Sequence, residues 1–227
     1  MKIAFSGFEN SIEISEGVVC TFEIENKQVF TNICRSLASG EGEFACEPYT
    51  IWGDDEEELN PSGSLLVITD PLNLPWGHKL LGGRLFDMLD SLMREDEDAR
   101  VEIESLATRL SQSIVRLAHQ VNGDYSFGLE WGLKQYLKTF AYSVERFESS
   151  RYLDSLISFL DFSADMAFKN VLVFVNLKSF LSKNELQQVL DRVFFLKLRV
   201  LLLETTHDSA SYCLERKSYI DQHFLEF

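Results

Sequence analysis

Three uninterrupted apolar runs constrain this chain more than any other feature. They are Leu65-Leu66-Val67-Ile68, Val171-Leu172-Val173-Phe174-Val175 and Val200-Leu201-Leu202-Leu203, closed by Thr69-Asp70, Asn176 and Glu204. A strand with no polar alternation has no face to offer water, so it belongs inside a parallel or mixed sheet covered on both sides. Between the second and third runs stands Ser182-Lys183-Asn184-Glu185, a capping-box pattern, followed by Leu186, Val189, Leu190 and Val193 at helical spacing. Strand, helix and strand in that order make a βαβ unit. Pro71 and Pro75 keep the first run from extending.

The amino-terminal part adds β character. Ile3, Phe5, Ile12 and Ile14 alternate around Gly7, and Gly17 precedes Val18-Val19-Cys20-Thr21-Phe22-Glu23-Ile24, a second strand pattern. Val29, Phe30, Ile33 and Leu37 then share one helical face, which Ser39-Gly40 ends. From 41 to 60 the chain turns acidic and reaches Asp54-Asp55-Glu56-Glu57-Glu58. Adjacent carboxylates without fixed geometry hold cations weakly, so a solvated loop or hairpin is expected here rather than a metal site. Residues 212–227 are amphipathic and carry no clear pattern.

From about 77 to 168 the period is helical. Leu81, Leu85, Met88, Leu89 and Leu92 form one stripe, interrupted by Arg94-Glu95-Asp96-Glu97-Asp98. A second stripe runs through Ile103, Leu106, Leu110, Ile114, Leu117 and Val121 to Asn122-Gly123, in three- and four-residue steps that suit a long helix packed against others. Leu133, Tyr136, Leu137 and Phe140 mark a third helix, and Leu153, Leu156, Ile157, Leu160 and Ala164 a fourth. The expected fold is α/β: a head built from 1–76 and 169–227, interrupted by an inserted α-helical leg, 77–168.

Lys and Arg number 21 against 36 Asp and Glu, a formal net charge of -15 at pH 7, which argues against nonspecific nucleic-acid binding by the whole surface. A local basic patch stays open. No apolar stretch is long enough to span a membrane, and residues 1–10 lack a basic-then-apolar leader, so a cytoplasmic protein is expected. Cys20, Cys34, Cys46 and Cys213 show no paired spacing and read as small buried hydrophobes in a reducing compartment.

A doubly wound sheet invites a nucleotide. A phosphate loop needs glycines so that backbone N–H groups can approach the phosphates, and a lysine to reach them. The corresponding turn here, Ile24-Glu25-Asn26-Lys27-Gln28, has no glycine and places Glu25 where it would repel phosphate. Asp70 could imitate a magnesium-binding acid, but without the loop no nucleotide is expected. No Gly-x-Ser-x-Gly elbow occurs, and His78, His119, His207 and His223 form no metalloprotease pattern. No catalytic residue is nominated.

Four basic residues are candidates for contact with nucleic acid. Arg109 and Arg116 lie seven apart, away from the leucine stripe, and Lys134 and Lys138 lie four apart, opposite Leu133, Leu137 and Phe140. They read either as solvated faces with local ion pairs, such as Glu130 with Lys134, or as groups that meet DNA phosphates when several subunits point them inward. Asp124 and Glu130 bracket a loop whose carbonyls could join them around calcium.

The order of these pieces resembles the type II-A CRISPR-associated Csn-two family. The resemblance rests on Leu66-Val67-Ile68-Thr69-Asp70, a helical insertion, Leu172-Val173-Phe174-Val175-Asn176, Phe180-Leu181-Ser182-Lys183-Asn184-Glu185-Leu186 and Val200-Leu201-Leu202-Leu203-Glu204. It implies a head similar to P-loop ATPases with a degenerate nucleotide site. It implies a non-enzymatic homotetrameric ring, stabilised by calcium, whose basic hole binds ends of double-stranded DNA during spacer acquisition. It further implies work beside the CRISPR integrase complex and the RNA-guided effector nuclease. Family calcium ligands cluster just after the second leg helix, where Asp124 and Glu130 are the nearest matches. Such a ring would reconcile an acidic exterior with a channel that gathers a few cations from each subunit. A degenerate ATPase with residual nucleotide binding, and an interaction scaffold that never touches DNA, remain the alternatives.

Overall fold

The computed structural model describes residues 1–123, 126–127, 130–144, 151–223 and 225. It groups them into two compact units, one of Met1–Trp76 with Arg146–Phe227 and one of Gly77–Glu145.

The first unit begins with β1 (Lys2–Phe5), β2 (Ile12–Glu13) and β3 (Val19–Ile24). Helix α1 (Lys27–Ser39) follows, started by Asn26, whose side chain accepts from the Gln28 and Val29 amides, and closed by Gly40 in the left-handed region at φ 67°. After a 3-10 turn (Gly42–Phe44) come β4 (Tyr49–Trp52), β5 (Glu58–Leu59), the short α2 (Pro61–Ser64) and β6 (Leu65–Ile68). The second unit then supplies α3 (Lys79–Glu95), α4 (Glu97–Ala118) and α5 (Leu133–Thr139). The first unit resumes with α6 (Tyr152–Asp165), β7 (Val171–Val175), a 3-10 turn (Leu177–Phe180), α7 (Lys183–Leu196), β8 (Arg199–Glu204) and β9 (Glu215–Ile220).

The apolar runs become the expected parallel sheet, in the order β6-β7-β8-β3-β9. A smaller antiparallel sheet, β2-β1-β4-β5, makes the acidic stretch a hairpin with its carboxylates at the turn. Side chains alternate along a strand. Cys20, Phe22 and Ile24 of β3 therefore enter one core, with Ile3, Ile33, Leu37, Ile51, Leu201 and Leu203. Thr21 and Glu23 face the other way and are buried too. The capping box that starts α7 forms as the sequence predicts: Ser182 Oγ accepts from the Glu185 amide, and the Glu185 carboxylate accepts from the Ser182 amide.

Three expectations are revised. The leg boundary expected at 168 falls at 145, because α6 joins the first unit: Phe159 and Phe162 pack on Trp76, and Asp161 pairs with Arg192 of α7. The unassigned tail contains β9, the edge strand of the sheet, paired in parallel with β3 over six positions from Val19↔Glu215 to Ile24↔Ile220. Of the four cysteines, Cys20 is buried and its thiol is pushed up to about 12 by that burial, but Cys46 and Cys213 are exposed. Among the described residues, no helix is long and apolar enough to cross a membrane.

Candidate functional site

Two features of the described residues need a functional account: a buried ionic cluster in the first unit and an exposed apolar face in the second.

In an open parallel sheet, ligands bind outside the carboxyl ends of the strands. Here the carboxyl ends of the neighbouring strands β3 and β8 carry Glu23 and Glu204, partners in register, 0% and 1% exposed. Lys178 Nζ, from the 3-10 turn after β7, lies 2.7 Å from Glu215 Oε1 and 3.4 Å from Glu23 Oε1. Its backbone N–H donates to Glu204 Oε1 at 2.9 Å. Thr21 Oγ1 donates to Glu215 Oε1 at 2.5 Å. Lys217 Nζ sits 3.4 Å from Glu23 Oε1 and donates to the carbonyls of Asp208 and Ala210 at 2.6 and 2.7 Å. His207 Nδ1 meets Glu23 Oε2 at 2.7 Å.

Burial sets the electrostatics. It pushes the Glu204 carboxyl up to about 7, against the Lys178 amide and ammonium, which lower it. Burial also works to lower Lys178, but the hydrogen bond and charge of Glu215, with Glu23 behind them, carry it above the ordinary lysine range. Glu204 Oε2 and Glu215 Oε2 are buried and accept no hydrogen bond among the described residues. The cluster thus occupies with its own carboxylates and lysines the place where a doubly wound fold would receive a ligand. The nearby start of α1 is also committed, since Asn26 takes two of its free amides. A polyphosphate would meet acid here, as Glu25 already suggested. Asp70 caps its own turn, accepting from the Leu72 amide at 3.2 Å.

The second unit presents the opposite chemistry. Asp96 caps α4 through the Ala99 amide, and the helix runs 22 residues with Ala107 its buried residue. The stripe expected to pack against other helices is instead open: Leu106 54%, Leu110 55%, Ile114 44% and Leu117 64% exposed. Leu110 and Ile114 of this face, with Trp131, Tyr136 and Phe140, line a groove of about 1200 Å³ between α4 and the α5 segment. The Tyr136 and Phe140 rings stand 4.6 Å apart.

The nominated residues scatter. Lys134 is committed inside its own unit, 2.6 Å from Asp87 and 3.7 Å from Asp90. That hydrogen bond raises the lysine and lowers the aspartate from their ordinary ranges. The ion pair suggested with Glu130 is therefore made with α3 instead. Lys138 and Arg109 are exposed and form no salt bridge among the described residues. Arg116 lines the groove beside Ile114 rather than standing clear of the stripe, and its Nε donates to the Gln112 carbonyl at 3.4 Å. Asp124 lies outside the described residues. Glu130 borders the groove. Calcium takes six to eight oxygens, and the described residues hold no group of three acids, histidines or cysteines able to bind a metal.

Sequence reasoning missed Glu23, Glu215, Lys178 and Lys217. One signal was available: Glu23 interrupts an apolar strand on the same face as Thr21. Lys178 and Lys217 gave none, because only the tertiary fold brings a turn and an edge strand to Glu23.

Residues 46–223 match the family model described as CRISPR-associated protein (Cas_Csn2). The CRISPR-associated protein Csn2 of Enterococcus faecalis is 22% identical over 226 residues, covering 97% of this chain and 98% of that protein. Csn2 of Streptococcus agalactiae is 18% identical over 225 residues, covering 97% of each. Among solved structures, Stu0660 of Streptococcus thermophilus superposes with a TM-score of 0.61 at 18% identity, covering 89% of this chain and 68% of that one. At that identity the superposition speaks for the fold alone.

Proposed function

The chain belongs to the Csn2 family of CRISPR-associated proteins, and on that footing we propose that it is a non-enzymatic, ring-forming protein that binds the ends of double-stranded DNA in spacer acquisition. The observation that carries the ring is the open face of α4. Leu106, Leu110, Ile114 and Leu117 line up over several helical turns at roughly half exposure. Isolated exposed leucines are ordinary, but a contiguous stripe of this length marks an interface. Its three- and four-residue steps fit another helix. At 22 residues, α4 is the longest helix among the described residues and carries the whole of this stripe. A second copy therefore supplies the partner, and two such pairs complete the homotetramer.

Self-association is also what lets a chain of net charge -15 approach DNA. Phosphate binding depends on local counterion release, so a channel lined by Lys138, Arg109 and Arg116 from each copy suffices while the exterior stays acidic. Contacts of this kind read duplex shape and charge rather than bases. The strand order β6-β7-β8-β3-β9 supports a P-loop-like ancestry for the head, and the ion-paired Glu23 cluster, which fills the ligand position with the chain's own side chains, supports loss of its nucleotide site. Work beside the CRISPR integrase complex and the RNA-guided effector nuclease follows from the family resemblance. So does calcium stabilisation, with Glu130 and Asp124 as the nominated ligands; a tetramer equally stable in chelator would retire both.

The test compares linear and covalently closed circular duplex of equal length in a gel shift, alongside native mass measurement. Binding to linear DNA by a tetramer, with the closed circle excluded, is the expected result. Equal binding to both would remove threading through a hole. The apolar groove also favours a second reading, a scaffold that docks a partner protein; absence of any shift with an intact tetramer would select it.

A further inference from the structure

The segment 205–214, between β8 and β9, crosses the ionic cluster and buries none of its residues. Polar contacts hold it in place. At its start, the Thr205 amide and hydroxyl both donate to Asn176 Oδ1 at 3.1 Å. At its middle, His207 Nδ1 meets Glu23 Oε2 and the Asp208 amide donates to Glu23 Oε1 at 3.4 Å. Lys217 Nζ reaches up from β9 to the carbonyls of Asp208 and Ala210. Between this segment and the sheet lies a pocket of about 410 Å³, lined by Tyr212, Glu215 and Lys217 among others.

We propose that 205–214 is a strap held shut by charge, and that ionisation of the neighbouring Glu204 opens it by adding a further negative charge to the cluster beneath. The groups facing the cluster come from every element around it. Strand β3 gives Glu23 and β9 gives Glu215 and Lys217. The 3-10 turn gives Lys178, and the strap gives His207 and Asp208. Lys183 of α7 acts on Asp208, and the Tyr219 ring packs on His207 with centroids 4.6 Å apart. With Glu204 neutral, Glu23, Glu215 and Asp208 face Lys178 and Lys217, one formal negative charge in excess. With Glu204 ionised, Lys178 is shared among three carboxylates, and Glu23 stands beside a like charge on the adjacent strand. A buried uncompensated charge is costly, and admitting water relieves it. The strap is the part of the cover that can lift, because none of its residues is fully buried.

Amide hydrogen exchange on the full-length protein tests this, with protection factors normalised to the intrinsic rate at each pH. The Thr205, Asp208 and Ala210 amides are expected to lose protection about tenfold or more between pH 6 and pH 8, while the β7 and β8 amides hold theirs. In Glu204→Gln, which cannot ionise, the strap is expected to keep its pH 6 protection at pH 8. Equal strap protection at the two pH values in the wild-type chain would overturn the proposal, whether or not the variant folds. A full wild-type loss in Glu204→Gln would overturn it as well, by removing Glu204 as the trigger.

Discussion

Glu23 and Glu204 stand side by side in register on adjacent parallel strands, both out of solvent, with one amide and one ammonium of Lys178 divided between them. Burial first, and the like charge of Glu23 behind it, push the Glu204 carboxyl up to about 7. The pair makes the carboxyl end of the sheet a region whose charge state depends on pH near neutrality.

The first prediction follows from linkage. The Glu204 carboxyl is raised from its ordinary 4.5 to about 7 in the folded chain. The folded state therefore holds a proton that the unfolded state has released, and stability falls as pH rises through that window. The cost is absent below the lower value and complete above the upper one, at most roughly 3 kcal/mol. Glu204→Gln is expected to melt higher than wild type at pH 8 and to show no such gain at pH 5. Parallel melting curves for the two proteins at both pH values would contradict this.

Lys178 supplies the second. Its ammonium balances Glu215 and Glu23, whose side chains are 1% and 0% exposed. Lys178→Met keeps much of the volume and removes the charge. Breaking one side of a buried ion pair is expected to cost about 3 to 5 kcal/mol, read as a lowered denaturation midpoint. Pairing it with Glu215→Gln should recover part of the loss, since the substitution removes the stranded charge. A double variant no more stable than Lys178→Met would show that the two groups do not act together.

Much of this fold was legible because burial on both faces leaves a simple trace. The runs at Leu65, Val171 and Val200 and the capping box at Ser182 come from local rules, and each formed as read. What was not legible depended on distance in sequence. The strand Glu215–Ile220 has no apolar alternation, and only pairing to β3 makes it a strand. The helix Tyr152–Asp165 reads the same whether it packs in a leg or on a head. Glu23 was visible as an anomaly, but Lys178 and Lys217, far along the chain, give it meaning.

The stripe on α4 carries the third prediction. Leu110 and Ile114 are 55% and 44% exposed and line the apolar groove, so replacing both with Glu removes little from the single chain's own core. In an assembled interface the same change would bury two uncompensated carboxylates. The double variant is expected to keep the wild-type circular dichroism spectrum and to sediment as a smaller species. Unaltered sedimentation would take the α4 face out of the interface.

The last prediction separates two lysines that look alike in sequence. Lys134 is neutralised by Asp87 and Asp90, whereas Lys138, one turn on, is exposed and makes no salt bridge among the described residues. A cation already paired releases few counterions when DNA arrives, so Lys138 is the stronger contributor. Lys138→Glu is expected to weaken binding to linear duplex more than Lys134→Glu does, and to reduce the salt slope more. Asp87→Asn, which frees Lys134 and removes a negative charge, is expected to tighten binding and steepen that slope. A Lys134→Glu variant that loses more affinity than Lys138→Glu would mean that the Asp87 pair breaks to meet phosphate.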